Sequence, residues 1–146
     1  WQLDFYGTDS KSGLNWITKY VNDFNLSSHI NIHNAIYGPD KDDALYNSDV
    51  FILTSRYEGM PIAILEALRN GLPCLLTKQT NMLTPLSNMN IAKEFFVDDF
   101  EKSYLSLLEL SKKSHRTFIQ KKCAEIIETD YSWQAICNNI ITRLNQ

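Results

Sequence analysis

The chain has 146 residues, 44% of them apolar and 12% aromatic, and a net charge of −3. That length carries one domain with a real core and not two, and the slight acidic balance gives no reason to expect a nucleic acid partner. No apolar run approaches the roughly 20 residues of a membrane span, no signal peptide is visible, and three cysteines, an odd number, read as reduced thiols of a cytoplasmic protein.

The chain opens at Trp1 and runs directly into residues 2–6, whose alternation reads as a strand, as in a piece cut from something longer. Gly7 begins a polar loop. Leu14, Ile17, Val21 and Phe24 then recur at helical spacing and predict an amphipathic helix over 13–25. Residues 29–33 alternate again, a half-buried strand with His29 and His33 on one face. No third ligand accompanies the two histidines, so they read as polar surface rather than a metal pair. Asn34-Ala35-Ile36-Tyr37-Gly38 is the loop at that strand's carboxyl end. Asp40-Lys41-Asp42-Asp43 contains an Asp-x-Asp of the kind that elsewhere holds a divalent cation against a pyrophosphate. Here Asp40 and Asp43 fit better as the N-cap and third-position acid of a short helix, and no metal is expected.

Val50-Phe51-Ile52-Leu53 reads as a buried parallel strand. A polar loop follows, Thr54 to Gly59, and Pro61 is placed to open a helix at its first position, where a missing N–H costs nothing. Gly71 is placed to close it as a left-handed cap, with Pro73 preventing continuation. In open α/β sheets ligands bind where such a loop and helix mouth leave the carboxyl end of a strand. Glu66 is the only charged residue between Pro61 and Leu68, and Glu58 stands just ahead of the helix, where the dipole favours an acid. Taken singly they read as a dipole-stabilising and an incidental glutamate. Taken together, the N–H groups of Ile62 and Ala63 suit a phosphate, and a carboxylate a turn and a half further in suits two neighbouring hydroxyls, as on a ribose.

Residues 73–77 form the next strand, and strands alternating with helices make parallel βαβ units. Lys78 falls at the ligand edge of that sheet, within reach of a phosphate, although an exposed loop lysine is the commoner case. The stretch 78–96 is otherwise hard to read. Phe95-Phe96-Val97 predicts a last short strand, capped into the following helix by Asp98 or Asp99, with Tyr104, Leu107, Leu108 and Leu110 along that helix. Two more helices fit 114–129 and 132–145, the last with Trp133, Ile136, Ile140 and Leu144 on one stripe. Lys112, Lys113, Arg116, Lys121 and Lys122 cluster between them, a solvated face or a contact with anionic lipid.

Ser55-Arg56-Tyr57-Glu58-Gly59-Met60-Pro61, Leu65-Glu66-Ala67-Leu68 and Asn70-Gly71-Leu72-Pro73 together resemble the donor-site signature of the retaining glycosyltransferases of family four. The resemblance extends over nearly the whole chain, through the Gly-ending first strand, the 34–38 loop and Tyr131-Ser132-Trp133. It implies an α/β, Rossmann-like parallel sheet flanked by helices, the C-terminal half of a GT-B enzyme. The chain would be a nucleotide-sugar donor-binding domain over 1–146, lacking its first strand and helix and the N-terminal acceptor domain, and inactive alone. Glu58, in the Glu58-Gly59-Met60 turn, would orient the donor sugar and act electrostatically. Glu66 would hold the ribose, Ile62 and Ala63 the pyrophosphate, and Ala35, Ile36 and Tyr37 the base.

No cofactor beyond the nucleotide-diphospho-sugar donor is implied, and the acceptor is unread. Many relatives work at membrane surfaces, so the resemblance also implies a place at the inner face of the cell membrane. Members of the family usually carry a glycine pair after the 73–77 strand, which Lys78-Gln79-Thr80-Asn81-Met82 lacks. A nucleotide-sugar epimerase or phosphorylase of the same fold, or a non-catalytic binding domain that kept it, are the competing readings.

Overall fold

The computed structural model describes residues 1–8 and 13–144, the side chains of Ser114 and His115 excepted. Along the chain run β1 (Leu3–Tyr6), α1 (Gly13–Asp23), β2 (Ile30–His33), α2 (Pro39–Tyr46), β3 (Phe51–Leu53), α3 (Ile62–Arg69) and β4 (Cys74–Leu76). A 3-10 turn (Lys78–Thr80) follows, then α4 (Leu83–Asn88), β5 (Ala92–Glu94), α5 (Phe100–Leu110), α6 (Lys113–Thr129) and α7 (Trp133–Leu144). Four of the five expected strands are present, each shorter by one or two residues, the fifth lies at Ala92–Glu94 instead, and every described pairing is parallel. They make two sheets where one was expected: β1–β2, and β3-β4-β5. Apolar runs specify strands but not which strands are neighbours. The chain correspondingly divides into two compact units, residues 1–41 and 42–146, with α2 beginning in the first and ending in the second.

In the first unit β1 and β2 pair from Leu3↔Ile30 to Tyr6↔His33. Strand alternation places Leu3, Phe5, Ile30 and Ile32 on one face and Asp4, Tyr6, Asn31 and His33 on the other. On α1, Val21 is buried and Ile17 half-buried, while Trp16, Tyr20 and Phe24 form an exposed ladder of contacting rings.

The second unit is built around β4, buried at every position, as the continuous apolar run Cys74-Leu75-Leu76 demands. Ile64, Ala67 and Leu68 of α3, Leu83 and Leu86 of α4, and Ile119, Cys123 and Ile126 of α6 pack in the same core. Each fully buried Leu or Ile contributes about 1.5–3 kcal/mol. Cys74 and Cys123 are free thiols inside this core. Burial pushes the Cys74 thiol up, with a further push from Cys123, and takes Cys123 up to about 12, which leaves both unreactive.

Three helices end by one device. The N–H of Gly71 bonds the Leu68 carbonyl at 2.8 Å and that of Leu72 bonds Ala67 at 3.0 Å, the paired bonds of a Schellman cap. Asn25 and Leu26 close α1 onto Asn22 and Val21, and Asn90 and Ile91 close α4 onto Ser87 and Leu86, in the same way. All three caps are left-handed, with φ of 71° at Gly71, 54° at Asn25 and 59° at Asn90. The glycine was readable in the sequence; the two asparagines, the next best residues for this conformation, were not.

Several boundaries differ from expectation. Pro61 is the N-cap, with extended backbone, and the helix begins at Ile62. Asp40 lies inside α2, which starts one residue earlier at Pro39, so it is not the cap. The last strand is Ala92–Glu94, not 95–97, because Ser103 Oγ accepts from the Phe96 N–H at 2.8 Å and donates to its carbonyl at 3.0 Å, binding that backbone to α5. Asp99 is the cap of α5, accepting from the Lys102 N–H at 3.0 Å. Helices α6 and α7 lie where expected within a residue; residue 145 falls outside the described residues. Ser132 caps α7, its hydroxyl accepting from the Ala135 N–H at 3.1 Å. The basic cluster is partly committed: Arg116 is paired with Asp49 and bonds the Ser48 carbonyl at 3.0 Å, and Lys122 pairs with Glu125 at 3.0 Å.

A Cβ at Gly71 would meet Gln120 Cγ at 2.7 Å and its Cα at 3.3 Å. Asparagine suits the backbone there, as it does at 90, but not the space under α6. Gly71→Asn should therefore lower stability by about 1–3 kcal/mol through overpacking, with Asn90→Gly within about 0.5 kcal/mol of wild type. Denaturant melts compare them, and equal small losses would show that α6 does not press on the cap.

Candidate functional site

Because β3 and β4 are parallel, their carboxyl ends lie on one edge, and the loops leaving them emerge side by side. The ladder continues past both strands, with the Thr77 N–H on the Leu53 carbonyl at 3.2 Å. Three further bonds join the loops. Thr77 Oγ1 donates to the Ser55 carbonyl at 2.7 Å, the Glu58 N–H to the Gln79 carbonyl at 3.2 Å, and Asn81 Nδ2 to the Glu58 carbonyl at 2.8 Å. Ser55 Oγ then donates to Glu58 Oε1 at 2.8 Å, so the carboxylate itself is oriented. Glu58 is half-buried, while Tyr57, Gly59 and Met60 beside it are exposed. Asn81 stands in the left-handed conformation, φ 57°, which lets its side chain turn back to Glu58.

The loop delivers the chain to the mouth of α3. The first bond of that helix runs from the Ile64 N–H to the Pro61 carbonyl at 3.0 Å, so the Ile62 and Ala63 N–H groups lie ahead of the intrahelical ladder. They carry the positive end of the helix dipole. Ile62 is 69% exposed although apolar, and Glu66 follows it by four residues, on the same face. Ile64, Ala67 and Leu68 take the buried face. Glu66 is half-buried, and since α3 begins at Ile62 it lies one turn in, about 6 Å along the axis rather than the 7.5 Å that a start at Pro61 gives. Its carbonyl accepts from Asn70 Nδ2 at 3.0 Å.

Lys78 is exposed and lines a cavity of about 250 Å³ at the carboxyl ends of β4 and β5. Glu94, Asp98 and Asp99 share that lining. Among the described residues, no three His, Cys, Asp or Glu side chains converge in a way that holds a metal ion.

In the first unit the loop after β2 also borders a cavity, of about 760 Å³. Ala35 and Tyr37 line it, and Ile36 between them is half-buried. Tyr6, Gly7, Leu14 and His33 line it as well. His29 and His33 are both exposed, as expected. His29 Nδ1 lies 3.2 Å from the Trp1 carbonyl, and His33 Nε2 donates to Asp4 Oδ1 at 2.8 Å. The contributions of Thr77 and Asn81 escaped sequence reading because they are contacts between segments more than 20 residues apart. Two signals were local: Ser55 stands three residues before the Glu58 it orients, and the lack of glycine in 78–82 leaves asparagine to take the left-handed position.

The fold is that of GT-B glycosyltransferases. WaaG, a glycosyltransferase involved in lipopolysaccharide biosynthesis, superposes over 88% of this chain and 34% of its own, with a TM-score of 0.73 and 18% identity. The pneumococcal O-GlcNAc transferase GtfA, solved with UDP and GlcNAc, matches 96% of this chain and 29% of its own at a TM-score of 0.61 and 13% identity. In sequence, the UDP-Gal:alpha-D-GlcNAc-diphosphoundecaprenol alpha-1,3-galactosyltransferase of Escherichia coli is 43% identical over 58 residues, 40% of this chain and 14% of that protein. The mannosylfructose-phosphate synthase of Agrobacterium fabrum is 22% identical over 131 residues, 88% of this chain and 28% of its own length. The chain thus spans about a third or less of each relative. The family model described as glycosyl transferases group 1 matches residues 1–123, and the chain belongs to that family.

Proposed function

We propose that this chain is the donor-binding part of a retaining glycosyltransferase that moves a hexosyl group from a nucleotide sugar to an acceptor. The observation that carries the reading is the α3 mouth at the carboxyl edge of β3 and β4, with Glu58 oriented ahead of it by Ser55 and Glu66 one turn inside. In such a transfer the glycosidic bond to the diphosphate breaks and negative charge grows on the leaving group. Donors fixed in advance at that charge lower the barrier without reorganising. The Ile62 and Ala63 N–H groups, at the positive end of α3, are such donors. Glu66 accepts the two ribose hydroxyls, and Gly59 and Met60 border the sugar. Glu58, held on both its backbone and its carboxylate, orients the sugar and stabilises positive charge at its anomeric carbon. The E. coli relative is named for UDP-galactose and GtfA was solved with UDP, which supports a UDP-sugar as donor.

The same reading puts the whole enzyme in the cytoplasm, peripheral to the inner face of the membrane. The lipid-linked acceptor in the E. coli relative's name supports this placement. No described helix is long and apolar enough to cross a membrane, and Lys112, Lys113 and Lys121 are the cations to test for an anionic surface.

Two measurements on the full-length protein test the reading. Glu66→Gln keeps size but replaces one charged acceptor oxygen with a donor. Hydrogen bonds to a charged group are worth about 1.5–3 kcal/mol, so affinity for a nucleoside diphosphate should fall roughly ten- to a hundredfold with the melting temperature unchanged. Equal affinity, or simple unfolding, would remove the ribose role. Chelation should leave transfer unchanged, and Asp40→Asn, which removes an exposed charge from the first turn of α2, should cost about 0.3–1 kcal/mol of stability and leave turnover unchanged. Activity lost to a chelator and restored by magnesium or manganese would return Asp40 and Asp42 to the site.

A further inference from the structure

Among the described residues, Asn25, Asn81 and Asn90 hold left-handed backbone without being glycine. Asn25 and Asn90 close α1 and α4 through backbone bonds. Asn81 instead follows a single 3-10 turn, and its Nδ2 crosses 23 residues to donate to the Glu58 carbonyl at 2.8 Å. The residue is exposed, where water competes for the amide, so the bond adds little stability. Its left-handed backbone costs energy that glycine would not incur. What the bond does is hold one peptide. In a planar trans peptide the carbonyl and the following N–H point opposite ways. With its carbonyl on Asn81, the Glu58–Gly59 peptide turns the Gly59 N–H away from the 78–82 loop. Gly59 also makes this peptide able to turn over. A flip changes ψ of the first residue and φ of the second, and glycine accepts either sign of φ. Nothing else in the fold requires glycine there: a Cβ at 59 would meet nothing within 4 Å, and its φ lies outside the left-handed region.

We propose that Asn81 is a positioning residue that locks the Glu58–Gly59 peptide against flipping, and so fixes both the Glu58 carboxylate and the Gly59 N–H for the donor sugar. The other bonds of Glu58 do not reach this peptide. Its N–H on the Gln79 carbonyl at 3.2 Å holds the peptide before it, and Ser55 Oγ at 2.8 Å holds Oε1. The peptide after it has Asn81 as its partner among the described residues. Oε2 and the Gly59 N–H, an acceptor and a donor, are then left for sugar hydroxyls, which both donate and accept. The glycine pair usual in the family has no side chain with which to make this bond. The lock rests on the donor-site reading of Glu58 and adds to it a residue outside the family's signature.

The experiment uses the full-length protein, with UDP and UDP-galactose as probes and water as acceptor of the galactosyl group. Asn81→Gly keeps the left-handed backbone and removes the amide, while Asn81→Asp keeps the size but offers no N–H. Both should slow UDP release from UDP-galactose roughly tenfold, as a small misplacement at a reacting centre does. UDP affinity and melting temperature should stay as in wild type, since UDP carries no sugar for Glu58 to meet. In spectra of protein carrying nitrogen-labelled glycine, the Gly59 amide, identified by its loss in Gly59→Ala, should broaden or split in both variants. The amide needs no substrate, so it decides the lock whatever sugar the protein takes. A Gly59 amide unchanged in Asn81→Gly, or UDP release at the wild-type rate, would overturn the lock and leave the donor reading standing. Parallel losses of UDP affinity and melting temperature would also overturn it, giving Asn81 a purely structural role. A wild-type protein that neither binds UDP nor releases it from UDP-galactose would overturn the donor reading, and the lock with it.

Discussion

The candidate site depends on the parallel pairing of β3 with β4. Neighbouring strands lie about 4.8 Å apart, so two loops leaving the same edge must pack against each other or splay. Here they are joined. Thr77, 2% exposed, spends its hydroxyl on the Ser55 carbonyl, and Gln79 and Asn81 take the N–H and the carbonyl of Glu58. Each bond contributes only about 0.5–1.5 kcal/mol net. Their effect is positional: a carboxylate on a loop is held with both its peptide neighbours and one oxygen fixed. Preorganisation of that kind is what a charged transition state requires.

The core beneath follows from the same pairing. With β4 central in its sheet, both of its faces need cover: Cys74 and Leu76 join the core of α3, α4 and α6, and α5 also packs against the strand. The helix that presents Ile62 and Glu66 at its exposed end buries Ile64, Ala67 and Leu68 at once. It stops at a Schellman cap whose residue is glycine, because a Cβ there would meet Gln120 of α6. Site and core are therefore two faces of one eight-residue helix, and the position of its N-terminus is set from below by packing.

Legibility in the sequence tracked how local each signal was. Strand β4 and helix α3 were readable because a continuous apolar run, a lone glutamate, a proline and a glycine all pointed one way within twenty residues. Helix α4 was not, being six residues long with Pro85 in its first turn, too short for a periodicity. For β5 the apolar Phe95-Phe96-Val97 outweighed Ala92-Lys93-Glu94, yet the latter is the strand. An edge strand carries charge without penalty, and Lys93 is paired with Glu109 of α5 at 2.9 Å. The division into two sheets had no signal at all, since it is a matter of which edges meet.

The loop after β4 shows how a departure from a family pattern is absorbed. A glycine pair there leaves bare backbone, able to approach a ligand closely. Lys78-Gln79-Thr80-Asn81 replaces it with four side chains, and their uses differ. Lys78 is exposed and lines a cavity together with Glu94, Asp98 and Asp99. Thr80 is fully buried and bonds the Thr77 carbonyl at 3.0 Å, closing the turn on itself. Asn81 adopts the left-handed backbone that glycine would have supplied and turns its amide to Glu58. A left-handed position is thus taken without glycine, while the Gln79 carbonyl and the Asn81 side chain support the glutamate loop. A loop spending its polar groups this way braces Glu58 rather than baring its own backbone.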